Sequence, residues 1–164
     1  MIPKLFVFVL AALFCNAFAS DAECPQGAVL SPFDPNICYM VSSNALDYYS
    51  AADFCEQAEG HLTSVHNAFE NSYLRGAASS IGADTVWIGG SNNNAKGIWK
   101  WEDSSAFDWT DWGPGQPNGT AGLCLSVSTH DGFWYGEKCA QAKPFFCKVN
   151  PTKRGLASCP NGVQ

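Results

Sequence analysis

The chain has 164 residues, 46% of them hydrophobic and 13% aromatic, with a formal net charge of −6. That composition suits one domain with a real core. The acidic balance argues against a nucleic-acid partner, because phosphate backbones repel it, and no polybasic run offers a handle to anionic membranes.

Taken in chain order, residues 1–19 read as an export leader. Lys4 is the charged start, Leu5 to Cys15 an apolar run, and Ala17-Phe18-Ala19 a small-residue cleavage signature. The run is shorter than the roughly 20 apolar residues of a spanning helix, and no later stretch approaches that length. A secreted, extracellular product with no membrane span is therefore expected, with residues 20–150 as the domain and 151–164 as a polar, flexible tail. Loss of Lys4 takes the net charge from −6 to −7. Export makes disulfides the default fate of cysteine. Cys15 leaves with the leader, and Cys24, Cys38, Cys55, Cys124, Cys139, Cys147 and Cys159 remain. An odd count leaves at least one thiol over, and the connectivity is open at this point. The chain has no C-x-x-C pair, which argues against a redox or structural zinc site.

Cys24 to Tyr39 is rich in Pro and Gly and reads as turns, and Ile37 to Val41 suits a strand. Tyr48 to Glu59 has helical spacing: Tyr48, Ala51, Ala52 and Cys55 share a face, and Gly60 is placed to stop it. Leu62 to Val65 is extended. Asn67 followed by Glu70 resembles a capping box, opening a second helix with Leu74, Ala77 and Ala78 on its apolar face. From there the pattern changes to strands: Val86 to Gly89, Ile98 to Trp101, Leu123 to Val127, Phe133 to Tyr135 and Phe145 to Val149. Between Trp101 and Cys124 runs a long segment of Asp, Trp, Pro and Gly, a length usually reserved for function or disorder. Trp109 and Trp112 argue for order. Helices first and strands after give an α+β class.

The runs Cys55-Glu56-Gln57-Ala58-Glu59-Gly60-His61-Leu62-Thr63-Ser64-Val65-His66, Val86-Trp87-Ile88-Gly89-Gly90 and Trp99-Lys100-Trp101-Glu102-Asp103, then Trp112, Cys124, Trp134, Cys139 and Cys147, resemble the C-type lectin-like domain. The resemblance covers about Cys24 to Val149. It implies two helices with antiparallel strands and a long loop region, and three disulfides: Cys55 with Cys147, Cys124 with Cys139, and Cys24 with Cys38. Cys159 is then unpaired on the tail, where an interchain bond would give a disulfide-linked homodimer.

In sugar-binding members, a Glu-Pro-Asn or Gln-Pro-Asp tripeptide and a later Asn-Asp pair hold a calcium that binds sugar hydroxyls directly. Calcium requires six to eight oxygens, preferably with carboxylate charge. Here the tripeptide is Gln116-Pro117-Asn118, with two neutral amides; in the family the proline follows a cis bond. Gly122 stands where a Glu is common, and Tyr135 and Gly136 follow Trp134 where the Asn-Asp pair belongs. Every side-chain carboxylate is gone unless Asp131 or Glu137 takes a ligand's place, so no tight metal is expected at this turn. Asn118-Gly119-Thr120 is also a glycosylation sequon, and a glycan on Asn118 would cover the vestigial site.

Several further residues invite a role. Trp109 and Trp112 offer surfaces for stacking on sugar, although packing within the loop is the plainer use. Trp87, Trp99, Trp101 and Trp134 read as core, and His61 and His66 as structural histidines. Glu102, Asp103, Asp108 and Asp111 are where a weak or structural calcium would sit, if one orders the loop. None of the nucleophile, zinc-protease or phosphate-loop signatures occurs, so no enzyme is expected. The expected function is carbohydrate recognition through a degenerate calcium site; the alternative is a calcium-independent domain binding a protein ligand.

Overall fold

The computed structural model describes residues 22–94, 97–120 and 122–153. Strands are β1 (Ala22–Glu23), β2 (Ala28–Leu30), β3 (Cys38–Leu46), β4 (Gly60–Leu62), β5 (Thr85–Ser91), β6 (Lys100–Trp101), β7 (Leu123–Ser128), β8 (Trp134–Lys138), β9 (Lys143–Val149) and β10 (Thr152–Lys153); helices are α1 (Tyr48–Gln57) and α2 (Ala68–Ser80). No described helix is long and apolar enough to cross a membrane.

Both helices begin at side-chain caps. Asp47 Oδ1 accepts from the Ser50 backbone N–H at 3.2 Å, and Asn67 Oδ1 accepts from Phe69 and Glu70 at 3.0 Å each, satisfying donors that the first helical turn leaves open. Glu70 reaches back one residue further than a capping box requires, accepting from the His66 N–H at 2.9 Å. Glu59, rather than Gly60, takes the left-handed conformation after α1, at φ 57°, and Gly60 already starts β4.

The main sheet runs β2-β3-β9-β5-β7-β8, with β4 beside β9 and β6 beside β5. The expected antiparallel strands are there, with one exception: β5 and β9 run parallel, Trp87 opposite Phe145. Alternation along these two central strands builds two cores. Trp87, Phe145, Cys147 and Val149 face α1, joining Tyr48, Ala51 and Cys55. Val86, Ile88 and Phe146 face the other way, joining Leu74 and Ala78 of α2 together with Trp101 and Trp134. Ile98 and Trp99 fall outside β6, so that strand is shorter than the sequence pattern indicates.

The three disulfides implied by the resemblance are present: Cys24–Cys38, Cys55–Cys147 and Cys124–Cys139. Thr152 and Lys153, within the tail expected from residue 151, pair with Glu23 and Ala22; the rest of that segment lies outside the described residues. The leader and Cys159 lie outside the described residues.

Candidate functional site

The long segment is ordered by the strand it crosses. Trp134 donates its backbone N–H to Asp111 at 2.8 Å, and Gly113 donates to the Trp134 carbonyl at 3.0 Å. The chain then turns through Pro114 and Gly115, closing Gln116 N–H onto the Gly113 carbonyl at 2.9 Å, and enters a cis Gln116–Pro117 bond.

This turn delivers Gln116 to β8. Its Oε1 accepts from the Gly136 backbone N–H at 3.2 Å. Asn118, exposed, accepts on Oδ1 from the Thr120 N–H at 3.1 Å. Both amide oxygens of the tripeptide are thus engaged with backbone donors. A Cβ at Gly136 would lie 3.1 Å from the Trp99 ring and 3.2 Å from Leu123, so there is little room for an acidic side chain opposite Gln116. Asn92 holds the far end of the loop: 3% exposed, it donates Nδ2 to the Thr120 carbonyl and accepts on Oδ1 from Leu123, each at 2.7 Å.

The two carboxylates nearest this frame are occupied. The Tyr135 hydroxyl donates to Asp131 Oδ2 at 2.7 Å, which raises the tyrosine's pKa. Partial burial pushes the Asp131 carboxyl up, but hydrogen bonds from Tyr135, the Phe133 backbone and Ser128 outweigh it and hold the pKa low. Glu137 pairs with Lys143 at 2.8 Å and accepts from Ser126 at 2.9 Å. Two neutral, hydrogen-bonded amides with no free carboxylate do not fit a calcium ion, which favours charged oxygen ligands.

The acidic segment likewise divides among separate partners. Asp103 accepts from Ser64 at 2.5 Å and lies 3.7 Å from Lys148; its partial burial raises the pKa, but the hydrogen bonds from Ser105 and Ser64 win and lower it. Asp108 contacts His66 at 3.0 Å, a bond that lowers the carboxyl's pKa. Asp111 accepts from Asn71 at 2.9 Å, with burial raising its pKa, as it does for Glu102. Among the described residues, no three His, Cys, Asp or Glu side chains gather to hold an ion.

Trp134 is wholly buried and forms the hub of an aromatic cluster, with ring centroids of Trp109, Trp101 and Trp112 at 5.2, 5.5 and 5.8 Å. Trp109 and Trp112 pack against Trp134 and are half-buried. His61 is exposed on β4, whereas His66 joins the loop to α2 through Asp108 and Ser105.

Sequence reasoning missed Asn71, Asn92 and Phe107. Asn71 did carry a signal: a polar residue in the register of Leu74 and Ala78 on the inward face of α2. It is 5% exposed, accepts the Trp134 indole N–H at 2.9 Å and donates to Gly132 at 2.8 Å.

Residues 44–149 match the family model described as Lectin C-type domain. Perlucin of Haliotis laevigata is 34% identical over 116 residues, spanning 68% of this chain and 75% of its own. The galactose-specific lectin nattectin of Thalassophryne nattereri is 27% identical, spanning 89% and 94%. A crystal structure of a calcium-independent type II antifreeze protein superposes with a TM-score of 0.72 at 27% identity, covering 84% of this chain and all of that one.

Proposed function

The chain belongs to the C-type lectin domain family, and from that premise we propose that it is an exported, non-enzymatic module that binds carbohydrate without a calcium bridge. The observation carrying this is the direct bond from Gly136 N–H to Gln116 Oε1. It joins, protein to protein, the two segments that a metal links in calcium-dependent members. Nattectin's description as galactose-specific supports carbohydrate as the ligand class, and the calcium-independent relative supports a metal-free member of this fold. Tyr135 and the half-buried Trp109 and Trp112 are the polar and aromatic side chains proposed to meet the sugar together with Gln116, Pro117 and Asn118.

Export through residues 1–19 follows from the leader's composition, and the three disulfides suit an oxidising compartment. Asn118, exposed with Gly119 and Thr120 beside it, is proposed to carry an N-linked glycan, and Cys159 to link two copies. Amidase treatment that leaves the secreted mass unchanged disposes of the glycan; a non-reducing gel showing only monomer disposes of the link.

A glycan array run with calcium and again with chelator tests the main proposal. Spots unchanged by chelator are expected, and spots that vanish with chelator overturn it. A blank array favours the second reading, a protein ligand. That reading draws on exposed apolar side chains away from the turn, Phe69 at 77% and Val29 at 61% exposure.

A further inference from the structure

We propose a second ligand subsite, in the groove between β6 and the start of the long segment, taking a single carboxylate-bearing sugar residue. This inference rests on the carbohydrate reading above. The groove encloses about 340 Å³, at the small end of the range for ligand clefts. Its accessible aromatic wall is Trp99 and Phe107, 6.5 Å apart at 27°, backed by the buried Trp101, whose ring is tilted 32° to Phe107 at 4.8 Å. Such a wall suits the apolar C–H face of a pyranose. Ile98, 52% exposed, extends the apolar surface at the rim.

The polar lining is distinctive. Ser104 sits at φ 61°, a conformation that costs a non-glycine residue and is tolerated mainly at functional or tightly held turns. Its hydroxyl has no hydrogen-bond partner among the described residues. Trp101 carries a buried indole N–H without an acceptor. Lys100 is the one charged lining residue and forms no ion pair among the described residues. Of the acids close to it in sequence, Glu102 lies against Tyr48, its partly buried carboxyl held above the ordinary value, Asp103 is engaged with Ser64 and Lys148, and Asp108 with His66. Lys100 is thus the local positive charge of the groove, complementary to a carboxylate there against the repulsion of a chain whose net charge is −6.

The groove also adjoins the proposed primary site. Trp99 lines it and abuts Gly136, whose N–H binds Gln116, so one tryptophan ring separates groove and turn.

The test is an NMR titration of the ¹⁵N-labelled secreted protein with methyl β-glucuronide and with methyl β-glucoside. The glucuronide is expected to move the Trp99 indole and the Ser104 and Ser105 amide signals. Lys100→Gln is expected to weaken the glucuronide about threefold, the scale of one exposed ion pair, and to leave the glucoside unchanged. Gln116→Ala is expected to leave the groove signals responsive. Shifts confined to Gly119 and Gly136 overturn the subsite while upholding a sugar at the turn. Equal weakening of both sugars by Lys100→Gln overturns the carboxylate preference. Silence with both sugars overturns the subsite, and the glycan array then decides separately whether carbohydrate binding stands.

Discussion

Trp134 donates its indole N–H to the side-chain carbonyl of Asn71 at 2.9 Å, across 63 residues of chain. The same amide donates to the Gly132 carbonyl and to Asp111. One buried side chain thereby fixes α2, the turn before β8 and the long segment to one another.

Replacing Asn71 with Leu leaves the indole N–H and the Gly132 carbonyl without partners in a dry interior. The expected loss is about 2–4 kcal/mol, whereas Ser72→Ala on the exposed face stays within about 0.5 kcal/mol. Urea unfolding followed by tryptophan fluorescence measures both, and equal midpoints for the two variants would contradict the role given to Asn71.

Gly136→Asp restores a carboxylate opposite Gln116, yet its Cβ must enter space bounded by Trp99 and Leu123. Overpacking of this kind costs about 1–3 kcal/mol, and the displaced geometry is expected to bring no calcium affinity, even with Gln116→Glu added. Micromolar calcium binding by calorimetry in the double variant, at undiminished thermal stability, is the contrary result.

Asp103 predicts a pH dependence. Its folded-state pKa is held below the ordinary carboxylate value by Ser105 and Ser64, against burial, with Lys148 assisting. A lowered folded pKa means the stabilisation is complete above the unfolded value near 4 and disappears as pH falls through the folded value. Asp103→Asn is therefore expected to cost about 1–2 kcal/mol at pH 7, with the gap to the parent closing below pH ~4. Urea midpoints from pH 7 down to pH 3 provide the check; a gap that widens in acid has the wrong sign.

Cys55–Cys147 spans a separation of 92 residues and Cys124–Cys139 one of 15. Loop-entropy arguments put their contributions at about 4–5 and about 3 kcal/mol. Paired Cys→Ala variants measured by thermal unfolding are expected to rank in that order.

Local patterns were legible because they report on neighbours. The Asn67 cap, the apolar stripe of α1 and the apolar runs of β5 and β9 can each be recognised within a dozen residues, and each is in place. Two local signals misled. Gly60 marks the start of β4 rather than the stop of α1, and Ile98 and Trp99 look strand-like but lie outside β6. The acidic segment reads as one cluster in sequence, yet the fold sends Asp103, Asp108 and Asp111 to three different partners. The chain's meanderings between them are set by contacts 40 or so residues away, such as Asn71 with Asp111.

The sequence by itself determined the number and spacing of the cysteines, the two helices and most strands, since composition and periodicity are properties of the chain; the disulfide pairing and the absence of acidic ligands at the Gln116 turn were implied by the family resemblance. Only the tertiary structure decided that β5 and β9 run parallel, that Gln116 closes onto Gly136, that Asn71 holds Trp134, and that Phe107 completes an aromatic groove. Each of those joins distant segments, and which segments meet depends on how both faces of the central strands are covered at once, a condition no local window contains.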